Sequence, residues 1–327
     1  MIAPCLRLFC GLVLTAWLGR GALAQTQLEL AEIHHGGYPT TLAVEEFARL
    51  VQTYSHGTLN VAVFPDGQIT GNERTAVEMV QKGTIAFARV SSGVLGAFNS
   101  RLNVFGLPYL FDSKRHLWNF LEGPYGRKML DELASSGLVG LCWYDAGARS
   151  FYARKPLKGV ADLKGLRTRT QSNPLIMRMV QVLGGVPVPL GTGQISGALE
   201  NGSIDAAENN APSLLSLGHY RFARHYLLNE HLRLPEVLFM SKVVWDRMTA
   251  EQRDAIKRAA QESVVFQRAR WDVFEAEALE TLVKAGVEVV KVEDFEPFRR
   301  AVRKLVDEEA PRYAEVLKAV EAARPRR

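Results

Sequence analysis

Two arginines separated by one residue, Arg167 and Arg169, lie in the short β-type run Leu163-Lys-Gly-Leu-Arg-Thr-Arg-Thr-Gln171, and the chain later carries Ile204-Asp-Ala-Ala-Glu-Asn-Asn210. A guanidinium fixed at the end of a strand, opposite an exposed asparagine, suits a small carboxylate. The planar fork meets both carboxylate oxygens at once, which a lysine ammonium cannot do. Only one of the two arginines is expected to present its fork to a ligand. The alternative is that both belong to an ordinary solvated strand edge. This chemistry is recognition rather than bond making. No nucleophile elbow, Ser-x-x-Lys, paired-histidine zinc motif or Gly-rich phosphate loop stands out, so no catalytic residue and no enzyme is expected.

Other candidate groups are weighed the same way. His34 and His35 are adjacent, and neighbouring histidines on a strand or turn rarely aim at one ion. His219, His225 and His231 lack the i, i+4 spacing of helical metal ligands. No metal and no cofactor are therefore expected. Cys142 lies in the apolar run Leu138-Val-Gly-Leu-Cys-Trp143 and reads as a packed core thiol.

The elements that must position these groups follow from periodicity. Leu28 to Ile33 alternates like a strand, Pro39 to Tyr54 has helical spacing, and Thr58 to Phe64 is a second strand ended by the turn Pro65-Asp-Gly67. Glu73 to Gln81 is expected to be a helix and Thr84 to Val90 a third strand. Such a βαβαβ order implies a mostly parallel sheet with helices on both faces, its ligand site at the carboxyl ends of the strands. His34, Glu73 and Arg89-Val-Ser-Ser92 fall at such positions. Further strands are expected at Leu138 to Trp143, Arg149 to Ala153, Leu166 to Thr170, Val186 to Pro189, Ser203 to Ala207 and Leu238 to Val244. Asn173 followed by Pro174 is a helix start, and a second short helix is expected near Gln194 to Glu200.

From Thr249 the pattern changes. Thr249-Ala-Glu-Gln252 reads as a capping box, and apolar positions 256, 260, 264, 271, 274, 278 and 282 keep helical spacing to Ala285. Read continuously this is roughly 37 residues, or about 55 Å at 1.5 Å per residue. No Pro or Gly interrupts it, which favours one rod over two helices. A rod joining two lobes would couple ligand capture to their closure.

Composition bounds the class. Residues 1–24 carry Arg7, an apolar stretch from Leu8 to Leu18 and Ala22-Leu-Ala24 before Gln25, the marks of a cleavable secretory signal. The apolar stretch is shorter than the about 20 residues of a bilayer span. The mature chain is therefore expected to be exported, soluble and periplasmic, with no stable membrane insertion. Removing Arg7 and Arg20 turns 40 basic and 35 acidic residues into 38 and 35, a net charge of +3 that does not suggest nucleic acid. Cys5 and Cys10 leave with the signal, so Cys142 has no partner for an intramolecular disulfide. A large core must supply stability, and the length points to two α/β lobes.

Phe64-Pro-Asp-Gly-Gln68, Phe105-Gly-Leu-Pro-Tyr-Leu-Phe111, Tyr144-Asp-Ala-Gly-Ala-Arg-Ser-Phe151, Asp162-Leu-Lys-Gly-Leu-Arg-Thr-Arg169 and Asp205-Ala-Ala-Glu-Asn-Asn210 occur in this order. Together with the long helix, they resemble the DctP-type solute-binding proteins of tripartite ATP-independent periplasmic (TRAP) transporters. The resemblance covers nearly the whole mature chain. It implies a two-lobed, periplasmic-binding-protein-like α/β fold with a long helix spanning both lobes. It also implies cleft closure on an organic acid and delivery to the membrane subunits of a sodium-driven permease. The lobes are expected to comprise 25–147 with 237–270, and 148–236 with 271–327, in a monomer.

The same resemblance implies the site residues. Arg169 would clamp the ligand carboxylate, Arg149 would add a second charge or hydrogen bond, and Asn209 would meet ligand oxygens from the same lobe. His34, Glu73 and Arg89 would contribute from the first lobe. Each has a structural alternative: Arg149 paired with Asp145, Glu208 orienting Arg169, or Glu73 serving a helix N-terminus. Tyr38-Pro-Thr40, Ala148-Arg-Ser-Phe151 and Glu208-Asn-Asn210 look most like members that bind sugar acids such as glucuronate or galacturonate. Hydroxyl groups, which donate and accept, would suit a cleft holding Glu73, Asn209 and His34. Related sequences commonly carry Trp where Ala211 stands, so a larger pocket or a lost stacking surface is expected there. A keto or dicarboxylic acid ligand, or a periplasmic sensor role, is the alternative.

Overall fold

The protein is described here from a computed structural model covering residues 25–326; the expected signal segment 1–24 lies outside the described residues. Eleven strands form two separate sheets. They are β1 (Thr26–Ala31), β2 (Leu59–Phe64), β3 (Phe87–Ser91), β4 (Leu138–Tyr144), β5 (Arg149–Ala153), β6 (Arg167–Thr170), β7 (Val186–Pro189), β8 (Ala206–Asn209), β9 (His225–Leu232), β10 (Glu236–Ser241) and β11 (Glu288–Lys291). The first sheet has the order β2-β1-β3-β10-β4 and the second β11-β9-β5-β8-β6-β7. This is the expected two-lobed α/β architecture.

The βαβαβ start behaves as its periodicity requires. Strand β1 pairs in parallel with β2 and β3, and the helices Pro39–Tyr54 and Glu73–Lys82 make the crossovers. The sheet is not wholly parallel, because β10 runs antiparallel between β3 and β4. Strand β10 reaches the sheet from the second lobe rather than through a local crossover, so its direction is free of the βαβ constraint. The chain passes between sheets at 145–148, after β4, and returns at 233–235, before β10.

Two strands lack the expected pattern. Strand β9 contains Asn229, Glu230 and His231, and β11 is only four residues long, so neither shows an alternating apolar signature. The strand expected at Ser203 to Ala207 instead spans Ala206–Asn209. Gly202 has φ +74° and the Asn201 side chain accepts from the Ser203 amide, so the preceding residues form a turn. That shift places Glu208 and Asn209 on the strand itself.

The long helix is one rod, Ala250–Lys284, 35 residues, opened by the expected capping box between Thr249 and Gln252. It packs on the helix Pro39–Tyr54 and on β4 at one end, and on the helix Ala211–Ser216 further along. Its buried face changes core on the way. Ile256, Ala259 and Ala260 join Leu30, Val44 and Phe47 of the first lobe. Ala278 and Leu282 join Tyr152, Leu214 and Tyr226 of the second. Trp271 lies between, against Tyr38 and Ala146. The last helix, Ala314–Ala322, packs back on the helix Lys114–Leu121, where His116 Nε2 meets the Val320 carbonyl at 2.8 Å. Cys142 is buried in the first-lobe core.

The helix also fixes the first crossing between sheets. Gln267 is fully buried; its Oε1 accepts from the Asp145 amide at 2.8 Å and its Nε2 donates to the Asp145 carbonyl at 2.9 Å. Asp145 in turn accepts from the Gly147 amide at 2.8 Å and from Trp118 Nε1 at 3.2 Å. Gly147 has φ +60°, and a β-carbon there would meet Glu275 Oε1 at 2.1 Å. Gly147→Ala is therefore expected to destabilise the protein by about 1–3 kcal/mol through backbone strain and the clash. Urea denaturation followed by circular dichroism reads this; an unchanged midpoint would show that the crossing is not held as described.

Candidate functional site

The carboxyl ends of β1 and β3 and the facing ends of β6 and β8 converge on one cavity. Its lining includes His34, Tyr38, Glu73, Arg149, Arg169, Gln171, Asn209 and Glu236. The enclosed space there is only about 20 Å³, roughly that needed by a single water, whereas the adjoining cleft holds about 500 Å³, within the roughly 300–1,000 Å³ typical of small-molecule sites. The cavity opens onto a wider cleft between 71–74 on one side and 189–194 on the other, which shares Glu73, Arg169 and Gln171. The two sides touch through Tyr38 Oη and Ser213 Oγ at 3.1 Å, and through Gln171 Nε2 and Ser91 Oγ at 3.2 Å.

The two arginines of β6 have different fates. Alternation puts both on the same face of the strand, so position along β6, not side, separates them. Arg167 stands at the exposed start and forms a two-pronged ion pair with Asp205, with contacts of 2.9 and 2.8 Å. Arg169 pairs in register with Val188 and Ala207, inside the sheet, and is 3% exposed. Its Nε donates to the Leu190 carbonyl at 2.9 Å. Among the described residues no carboxylate comes within ion-pair distance of it. Burial, with Arg149 nearby and Glu208 only partly offsetting, holds its pKa below the usual arginine range.

Arg149 is the opposite case. At the start of β5 it faces the end of antiparallel β8. Its Nε and Nη2 grip the Glu208 carboxylate at 2.5 and 2.9 Å, and its Nη1 donates to Asn209 Oδ1 at 2.7 Å. Both expected structural pairings are corrected. Arg149 pairs with Glu208 rather than Asp145, which is instead held by Lys114 at 2.7 Å. Glu208 orients Arg149, not Arg169. Burial would raise the Glu208 pKa, but Arg149 and His231 outweigh it and push it down to about 2. Asn209, fixed by Arg149 and by the Asn210 amide through its Oδ1, keeps Nδ2 without an acceptor among the described residues.

The first lobe supplies an acidic wall. Arg89, expected to meet ligand, stands one layer behind: it is 1% exposed and does not line the cavity. Its Nε donates to Glu32 at 2.8 Å, its Nη2 also contacts Glu32, and its Nη1 reaches Glu73 at 3.1 Å and Glu236 at 2.6 Å. With three carboxylates filling its donors, no direct role in ligand contact remains for it. Glu73 opens the helix Glu73–Lys82 behind the cap Asn72, so it serves the helix N-terminus and faces the cavity at once. His34 stacks on Tyr38 at 3.9 Å between ring centroids. Burial, reinforced by Arg89 and His35, holds its imidazole well below the ordinary 6.5, so it is neutral. Its Nδ1 is buried without a partner.

Several lining groups were not expected: Tyr38 as a wall, Gln171, Ser91, Asn210, Ser213 and Glu236. Tyr38 and Ser91 lie in segments already singled out, but Glu236 precedes the point where the returning strand reads as apolar. Ala211, where a larger or altered pocket was expected, is buried with Leu214 and Tyr226 in the second-lobe core and does not line the cavity. Among the described residues no group of three His, Cys, Asp or Glu is placed to hold a metal ion. No helix of them is long and apolar enough to cross a membrane.

The acidic wall has a measurable consequence. Burial, with Glu73 and Glu32 adding and Arg89 opposing, pushes the Glu236 pKa up to about 7. A carboxyl whose pKa is raised on folding stabilises the fold below its unfolded value, near 4.5, and this is lost as pH rises through about 7. Glu236→Gln is therefore expected to flatten the decline in stability between those values. The gain at alkaline pH should be on the order of 1–3 kcal/mol. Denaturant titrations across that range check this; parallel profiles for variant and wild type would contradict it.

Residues 30–312 match the bacterial extracellular solute-binding protein family 7, DctP. A solute-binding protein from Chromohalobacter salexigens is 33% identical over 277 residues, 84% of this chain and 82% of its own. A TRAP periplasmic solute-binding protein from Pseudomonas putida F1, solved with bound D-glucuronate, superposes with a TM-score of 0.89. It has 36% identity, and the match covers 92% of this chain and 98% of that one. One from Xanthobacter autotrophicus Py2, solved with bound β-D-galacturonate, gives a TM-score of 0.87 at 38% identity, covering 91% and 100%. With its paired sheets, its single connecting rod and an arginine buried in the cleft without a carboxylate partner, the chain belongs to family 7 of the bacterial extracellular solute-binding proteins, the binding components of TRAP transporters.

Proposed function

We propose that this protein binds a uronate-type sugar acid in the cleft between its lobes, in the periplasm, and passes it unchanged to a TRAP permease. The observation that carries this reading is Arg169, a buried guanidinium facing the cavity with no carboxylate of its own. A ligand carboxylate would supply the missing partner, in two-pronged geometry. Asn209 Nδ2 lies on the same wall, and the oxygens of Glu73 and Glu236 offer acceptors for hydroxyl groups. His34 and Tyr38 add a stacked aromatic surface that suits the apolar face of a sugar ring. The uronates bound by the Pseudomonas and Xanthobacter proteins agree in chemistry with such a lining.

In this reading 25–147 with 237–270 close against 148–236 with 271–327, except that Glu236, the first residue of β10, and the helix Ala314–Ala322 ride with the first lobe. The connecting rod bends or flexes as they close. The protein works as a monomer that carries out no reaction: the cavity holds carboxylates paired with arginines rather than a nucleophile beside a base.

Arg169→Ala is expected to fold normally, because it removes a buried cation that lacks a carboxylate partner, and to weaken uronate binding by about 2–5 kcal/mol. Arg169→Lys should recover little of this, since a point charge does not reproduce the fork. Isothermal titration calorimetry with D-glucuronate and D-galacturonate measures both, and wild-type affinity in the alanine variant would sink the clamp. A specific acid present at 100 times its Kd should also stabilise the fold by about 2.7 kcal/mol. A thermal-shift screen in which only neutral sugars or amines raise the melting temperature would refute the acid reading.

A further inference from the structure

The wall of the cavity formed by the first lobe is acidic and only half satisfied. Glu73 commits Oε1 to Arg89 at 3.1 Å and to the Ser91 amide at 3.0 Å, while Glu236 commits Oε2 to Arg89 at 2.6 Å. Among the described residues the second oxygen of each has no hydrogen-bond donor. Both side chains line the same cavity as Arg169. Behind them, Glu32 occupies the remaining donors of Arg89. One guanidinium thus serves three carboxylates, and the wall keeps surplus negative charge together with open acceptor positions. Arg149 is taken by Glu208 and His34 is neutral, so across the cavity Arg169, whose field reaches Glu73, is the cation left facing this wall.

We propose that Glu73 and Glu236 form a specificity filter that accepts the hydroxyls of a polyhydroxy monocarboxylate and rejects a ligand carrying a second carboxylate. The proposal rests on Arg169 being the clamp for the first carboxylate. With that group anchored, the rest of the acid lies along the lining that Glu73 and Glu236 share with Arg169 and meets the free oxygens. A hydroxyl donates a hydrogen bond to such an oxygen, whereas an ionised second carboxylate has no hydrogen to donate and adds like charge in a desolvated site. Discrimination then comes from repulsion of the wrong ligand as much as from attraction of the right one.

The test is calorimetry at about pH 8, where Glu236, pushed up to about 7, is ionised. The probes are D-galacturonate, D-galactonate and galactarate. The last two are open chains of equal length that differ in a terminal hydroxymethyl or carboxylate, which separates charge from shape. On wild type, galactarate is expected to bind about 100-fold more weakly than either monocarboxylate. In the Glu73→Gln/Glu236→Gln variant that gap should shrink by about tenfold or more. If the double variant does not fold, Glu73→Gln alone should narrow it in the same direction. Galactarate binding wild type within about threefold of the monocarboxylates, or an unchanged gap in a folded variant, overturns the filter and leaves the clamp standing. Absence of galacturonate and galactonate binding to wild type would overturn the clamp, and the filter with it.

Discussion

Charge buried in the cleft must be matched, and the cleft is organised around one place, Arg169, where the described residues supply no carboxylate to match it. Arg89 is enclosed by Glu32, Glu73 and Glu236, and Arg149 by Glu208. An isolated buried charge is costly unless paired and hydrogen-bonded. Arg169 has only the Leu190 carbonyl and the field of Glu208. Free energy withheld from folding at this position becomes available to binding, provided the incoming group is an anion of the right shape.

The paired arginines make that arrangement possible. Arg149 holds Asn209 in place, and its own charge is answered by Glu208. Glu208, ionised and held by Arg149, screens Arg169 without contacting it. On the other side of the cavity Arg89 keeps the acidic wall assembled, because without it Glu32, Glu73 and Glu236 would repel one another. The two walls therefore differ in charge, with an unpaired guanidinium on one and carboxylate oxygens without donors on the other.

Connection between the walls is as important as their chemistry. The first crossing between sheets is clamped by Gln267 from the rod, and the rod's buried face passes from one core to the other around Trp271. Tyr38 stacks on His34 in the cavity and packs edge-on against Trp271, with 6.0 Å between ring centroids. A side chain lining the site is therefore in direct contact with the element that spans both lobes.

Much of this was legible from local pattern. Alternation and helical spacing depend on near neighbours, so the helix Pro39–Tyr54, β5, β7 and the rod with its capping box lie where the residues alone place them, and β1 starts and ends two residues earlier than its alternation suggests. Residue type and spacing brought Arg167 and Arg169 forward together, and the ordered motifs, through the family resemblance, chose Arg169 between them. Partners were another matter. That Glu208 answers Arg149, that Arg89 lies behind three carboxylates, and that Glu236 joins the wall all depend on β5 meeting β8 and on β10 inserting between β3 and β4. Those pairings are set by contacts between residues far apart in the chain, and electrostatic roles follow from who ends up beside whom. Residue types determined which charges the cleft would hold; tertiary structure decided which of them cancel, and so which one is left without a carboxylate partner among the described residues.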